Sequence, residues 1–300
     1  MQIGMESNKS REKESGLELK YKKKLSTGDK KSAWLGRIVI WFVLILTLFP
    51  ILSVFLASLS AGSSFTQTTL LPSEITFDNY IKVFTKTDIW IWLKNTMLIS
   101  LSLAVVQLAI VIPAAFAFSK LRFKFRSKGL MALLILQMFP ISMALPAILR
   151  IAYNNNGMDK LWVVVVLLLS AGLANNTWLM KGYMDGIPSD LIEAAYVDGA
   201  TTRQVLVKIM LPLIRNMILV IFLYAFIGGY SEFMISAALL KDKAALSLPV
   251  GMHSFIREKF SANWAQFSAI AMVASVPIVA IFLALQKYIA EGFTSGAVKG

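Results

Sequence analysis

The sequence predicts an all-α integral membrane protein with six transmembrane helices, and three observations carry that prediction. The 300 residues are 57% hydrophobic and 16% charged, more apolar surface than a soluble core of this length hides. The apolar residues fall in six long blocks, of the size that a bilayer-crossing helix of about 18 or more residues demands. Stretches such as VVVVLLLSAGL and IVIWFVLIL are apolar on every face, whereas a membrane β-barrel alternates apolar and polar residues over segments of about ten.

Residues 1–33 form a basic leader, expected to be disordered and cytoplasmic. Its lysines could bind acidic lipid or a partner, but Glu6, Glu12, Glu14 and Glu18 interrupt them, which favours a solvated tail that sets topology. Residues 34–300 form the transmembrane domain, with spans expected at 35–58, 96–119, 129–149, 161–180, 217–240 and 266–290. The first is too long for the core of a signal peptide and follows a long charged leader without a small-residue cleavage pattern. Prolines 50, 113, 140, 146 and 277 interrupt spans and mark kinks, around a path or static.

Charge gives the orientation. The net charge of +13 is concentrated before the first span and in Lys120, Arg122, Lys124, Arg126 and Lys128, a run without acids. Both regions are therefore expected in the cytoplasm, which places both termini there too. The absence of cysteine excludes disulfides and thiolate chemistry, and a single histidine, His253, argues against a histidine metal cluster. No phosphate-binding GxxxxGK[ST] loop or Gly-flanked nucleophilic serine occurs, so neither an ATPase nor a serine-type membrane enzyme is predicted. A proton- or sodium-driven transporter acting through Glu232 would call for paired acids and internal repeats, and neither is evident.

The loop at 187–216 is longer than a turn needs. Pro188, Ser189 and Asp190 suit the start of a short helix. Asp198 and Gly199 suit its end, and Thr201 with Gln204 forms a potential capping box for a second helix. Leu206, Ile209, Met210 and Leu213 give the second helix an apolar stripe opposite Arg203, Lys208 and Arg215. Such an elbow fits either an amphipathic connector resting on headgroups or a docking element for a partner.

Its spacing resembles a known signature. Glu193, Ala194, Ala195, then Gly199, then Ile209, Leu211 and Pro212 follow the EAAxxxG, nine residues, IxLP pattern of permeases of binding-protein-dependent ABC importers. The resemblance runs from about Trp34 to Gly300. Within it AAFAFSKLRFKFRSK, LQMFPISMALPAIL and LSLPVGM look like segments of carbohydrate importer permeases. It implies the type I ABC importer permease fold, with those seven residues forming a cytoplasmic coupling loop for a separate ATPase that binds ATP and Mg. No cofactor is implied in this chain. The implied partners are a sister permease, two ATPase copies and an extracytoplasmic sugar-binding protein, in a prokaryotic cell membrane. The ending EGFTSGAVKG resembles the tail of the smaller six-span permease of maltose and maltodextrin importers, which makes Gly292, Thr294, Ser295, Gly296 and Lys299 candidates for ATPase contact. Other sugars, of galacto-oligosaccharide or multiple-sugar type, fit the same motifs. Glu232 and Phe233 match a run in span five of sugar permeases, where Tyr230 and Ser231 depart from it. Glu232, Tyr230, Asn175, Asn176, Trp178 and Tyr224, with Gln137, are candidates for the solute path, with helix-to-helix bonding as the other reading.

Overall fold

The computed structural model describes residues 27–61, 74–138, 140–257 and 263–297, with side chains described between Ser32 and Tyr288. Most of the leader and Lys299 lie outside the described residues. Regular structure is helical, apart from an isolated antiparallel bridge between Ser60 and Ile75.

The chain divides into two units at Ser53. The first contains most of helix α1, Thr27–Ser58, with Pro50 inside it. It starts ahead of the expected Leu35. The second unit begins with a short helix α2, Asp78–Lys86, followed by α3, Ile89–Lys120. Asn79 ties α2 to the preceding segment, its amide donating to the carbonyls of Ser58 and Ser60 over 3.0 and 2.8 Å.

The third expected span is not one helix. Helices α4, Arg126–Gln137, and α5, Ile141–Asn154, meet at a bend of 84°. Pro140 lies between them with extended backbone, φ −71° and ψ 120°; it has no N–H to continue the α4 ladder, and its conformation starts the chain in a new direction. Among the described residues, five helices are thus long and apolar enough to cross a membrane, or six if this bent pair counts as one. The next span, α6, runs Leu161–Asp185, longer than the expected 161–180.

An elbow follows, made of α7, Asp190–Val197, and a helical run α8 over 202–213. The fifth expected span is α9, Arg215–Tyr230, which stops at Ser231 and restarts as α10, Met234–Leu239. A short helix α11, Leu248–His253, precedes α12, Trp264–Ala297. The breaks at Pro140 and at 231–233 escape a reading of composition for one reason: apolar composition shows where lipid can be met, not where the hydrogen-bond ladder stops.

Helix α3 is the central post, packed between α6 and α9. One of its ends is stitched by polar side chains. The Asn95 amide donates to the carbonyls of Ala244 and Leu246 over 2.9 and 3.0 Å, and the Thr96 hydroxyl accepts from the N–H of Leu248 over 2.7 Å. These bonds satisfy backbone groups that the loop before α11 would otherwise bury unpaired. The loop after α10 is held by Asp159, whose carboxylate accepts from the N–H groups of Lys241 and Asp242. The other end of α3 carries the basic turn and the elbow.

Candidate functional site: the elbow between α6 and α9

The elbow's root is held by one bond from α3, and the C-terminal ends of α3 and α6 that carry it are tied to each other through Asp185. The Ser119 hydroxyl donates to the Asp185 carboxylate over 2.6 Å, and Lys181 pairs with the other Asp185 oxygen at 2.5 Å. Lys120 donates from Nζ to the carbonyl of Ile187 over 2.6 Å, just where the chain leaves α6. Below these bonds, Val111, Ala115 and Phe116 of α3 and Met180 and Met184 of α6 receive Ile192, Ala195, Val205 and Met210 of the elbow in one buried cluster. The elbow is thus packed into the bundle end and does not hang from it as a free loop.

Helix α7 buries Ile192 and Ala195 and leaves Glu193, Ala194, Tyr196 and Val197 exposed. Ser189 forms no side-chain cap, because its own backbone is helical, φ −67° and ψ −28°; the capping expected from the sequence is absent there. The other end behaves as expected. Gly199 has φ +82°, in the left-handed region that lacks a steric penalty only for glycine. Ala200 donates to the carbonyl of Ala195 over 2.9 Å and Gly199 to that of Tyr196 over 3.0 Å, the two bonds of a Schellman end. Thr201 then opens α8 with a complete capping box: its hydroxyl accepts from the N–H of Gln204, whose side chain accepts in return from the N–H of Thr201.

After one turn, Thr202–Gln204, α8 widens into a π-helix over Val205–Met210 before a last turn, Leu211–Leu213. The N–H of Leu211 donates five residues back to the carbonyl of Leu206. Pro212 has no N–H, and its ring crowds the carbonyl four residues before it; the wide turn accommodates both. Ile209, Leu211 and Pro212 all fall in this irregular stretch. Glu193, Ala194 and Gly199 lie on the exposed part of the first helix and bend, while Ala195 is 8% exposed and packs inward.

The solute-path candidates are not gathered in one place. Glu232 accepts from the N–H groups of Ile235 and Ser236 over 2.6 and 2.9 Å and from the Ser236 hydroxyl over 2.6 Å, so its carboxylate caps α10. Tyr230 donates to the carbonyl of Ala274 over 2.9 Å and lines an apolar cavity of about 440 Å³ with Ser231, Phe233, His253 and Phe267. Asn175 is exposed and Asn176 is buried on α6. Trp178 buries an indole N–H without a partner among the described residues, with the Lys181 ammonium 5.7 Å from its ring. Tyr224 is 61% exposed on α9 and Gln137 is exposed on α4. Gly292, Thr294, Ser295 and Gly296 fall within α12. The sequence reading missed Ser119, Lys120, Lys181 and Asp185; in a basic run and a loop entry, charge alone suggested topology and not mutual bonding.

Long apolar helices carrying a packed helical elbow at one end define an integral membrane protein. Residues 109–295 match the family described as binding-protein-dependent transport system inner membrane component, and the chain belongs to that family. It is a multi-pass inner membrane protein, the permease component of an ABC transporter and not its catalytic chain; the ATPase is separate. The chain is 35% identical to the galactooligosaccharides transport system permease protein GanQ of Bacillus subtilis, over 86% of this chain and 93% of that one. It is 34% identical to the maltodextrin transport system permease protein MdxG of the same organism, over 85% and 92%. To the maltodextrin transport system permease protein MalD of Streptococcus pneumoniae it is 35% identical, over 85% and 91%. Its fold matches a chain in the crystal structure of a bacterial ABC transporter involved in the import of the acidic polysaccharide alginate, with TM-score 0.73, 24% identity and coverage of 88% and 98%. Family membership sets aside a secondary transporter driven through Glu232.

Proposed function

We propose that this chain is the permease subunit of an ATP-driven importer of oligosaccharides of maltodextrin type, forming half of the translocation path. The observation that carries the coupling role is the elbow, which holds Glu193 and Ala194 outward on α7 while Ile192 and Ala195 root the same helix in the bundle. A push on α7 therefore reaches α3 and α6 through packed side chains and through the Lys120 and Asp185 bonds. Glu193 meets a basic group of the ATPase, Ala194 allows close approach, Ala195 on the inward face lets α7 seat closely on the bundle, and Gly199 sets the bend. Ile209, Leu211 and Pro212 pass the displacement to α9.

The complete transporter contains a sister permease in a heterodimer, two ATPase copies and an extracytoplasmic sugar-binding protein. Both termini lie in the cytoplasm with the elbow, consistent with five basic residues and no acid in the run from Lys120 to Lys128. Gly292, Thr294, Ser295, Gly296 and Lys299 contact the ATPase. Glu232, Tyr230, Asn175, Asn176, Trp178 and Tyr224 border the solute path. Similarity to GanQ gives a second reading, a galacto-oligosaccharide importer. Proteoliposomes carrying all subunits decide: ATP-dependent uptake of maltotriose supports the first reading, and uptake of galacto-oligosaccharide alone supports the second. No ATP-dependent uptake of any sugar overturns both.

A further inference from the structure

We infer that the turn between α3 and α4 is a binding site for the headgroup of an anionic phospholipid, formed by Arg122, Lys124 and Lys128. The inference concerns the bilayer and does not depend on which solute is carried. The run from Lys120 to Lys128 holds five basic residues and no acid, but the five are not equivalent. Lys120 donates to the Ile187 carbonyl, and Arg126 donates from Nε and Nη2 to the carbonyls of Phe118 and Ser119 over 2.7 and 3.1 Å. Those two cations close the last turn of α3 and bind the turn to the elbow. Arg122, Lys124 and Lys128 are exposed and have no ion pair among the described residues. Asp185, at the end of α6, already accepts from Ser119 and Lys181.

Two aromatic rings stand among these free cations. Phe123 is 42% and Phe125 60% exposed. The Phe123 ring packs 5.6 Å from that of Phe118, and the Lys124 ammonium lies 6.0 Å from the centre of the Phe125 ring. Large apolar rings interleaved with cations at the end of a span match the interface, where rings enter the acyl boundary and cations meet phosphate. Arg122 supplies a planar fork for phosphate oxygens and the two lysines supply point charges. An anionic lipid is the complementary occupant, since a zwitterionic headgroup presents its own cation to the same three charges. Because Lys120 and Arg126 hold this turn to α3 and to Ile187, a bound headgroup also braces the base of the elbow.

The test uses the full-length chain in nanodiscs. The sequence has no cysteine, so Ser127→Cys introduces a unique thiol for a fluorophore beside the site. Quenching by headgroup-nitroxide phosphatidylglycerol is compared with quenching by the matching phosphatidylcholine probe. We expect the glycerol lipid to quench preferentially, and the Arg122→Gln, Lys124→Gln, Lys128→Gln triple variant to lower that preference by more than about tenfold. Raised salt lowers it as well. Should the triple variant fail to insert, Lys124→Gln and Lys128→Gln alone each lower the preference by about fivefold, the equivalent of one basic residue at an anionic surface. Equal quenching by the two lipids, or a preference that survives these substitutions, overturns the inference and leaves the charges as topology signals only.

Discussion

Lys120 reaches from the last turn of α3 to the carbonyl of Ile187, at the root of the elbow, with a donor distance of 2.6 Å. A hydrogen bond from a charged donor contributes about 1.5–3 kcal/mol, toward the lower figure where the group is partly exposed. Lys120→Met should therefore free the elbow root without unfolding α3. Hydrogen exchange of amides 187–198 should quicken by about tenfold, and uptake per ATP hydrolysed should fall. Unaltered exchange in that segment would show that packing alone holds the elbow.

The bend at Gly199 separates conformational cost from crowding, because a Cβ there has nothing within 4 Å. Gly199→Ala should cost about 1 kcal/mol, the left-handed penalty alone, and Gly199→Asn less. Gly199→Pro cannot adopt the positive φ and should disrupt the bend and ATPase association while leaving insertion intact. Exchange rates at Ala200, whose N–H closes the Schellman end, report the first two, and co-purification reports the third.

Glu193 is exposed and forms no ion pair among the described residues. Glu193→Lys should change the stability of the isolated chain by no more than about 1 kcal/mol, from the helix dipole. Association with the ATPase should weaken by about tenfold, in line with a charge pair turned into a repulsion. Equal co-purification of wild type and variant would remove Glu193 from the contact.

Glu232 yields a prediction that separates capping from solute contact. Glu232→Ala should destabilise the chain by about 1–3 kcal/mol through loss of the acceptor for the Ile235 and Ser236 N–H groups, and Ser236→Ala should produce a smaller loss of the same kind. Thermal unfolding in detergent measures both. A raised uptake KM with unchanged stability would instead assign the carboxylate to the solute.

Gly251 is packed against Trp92 so closely that an added Cβ would lie 2.3 Å from ring atom Cδ2. Gly251→Ala should cost about 1–3 kcal/mol by overpacking, read as a lowered unfolding midpoint and a shift in Trp92 emission. A midpoint equal to wild type would mean that α11 moves aside freely.

The spans and the elbow were legible because each rests on local chemistry. Apolar length marks a membrane helix, and glycine at 199 with Thr201 and Gln204 marks a bend with its following cap. What escaped depends on partners far apart in sequence. Ser119 and Asp185 are 66 residues apart, and neither residue type signals the other. Ser189 looked like a cap, but a cap needs extended backbone at that residue, which residue identity does not dictate. Glu232 was visible as a costly acid in an apolar segment, whereas the helix break that lets it cap α10 was hidden inside a continuous apolar run.

The π-helical stretch at Val205–Met210 also determines how this segment tolerates changes in length. A π-turn holds one residue more than the α-helical path between the same two ends, and here those ends are fixed, by the Thr201 box on one side and the buried Ile214 on the other. Removing one residue within the stretch therefore lets the backbone return to α-helical winding with α7 and α9 still facing as they do, leaving a kink at Pro212. Adding one residue offers no such refuge and must turn one helix by about 100° against the other. Between Thr201 and Ile214, single-residue deletions should therefore be tolerated and single-residue insertions should not.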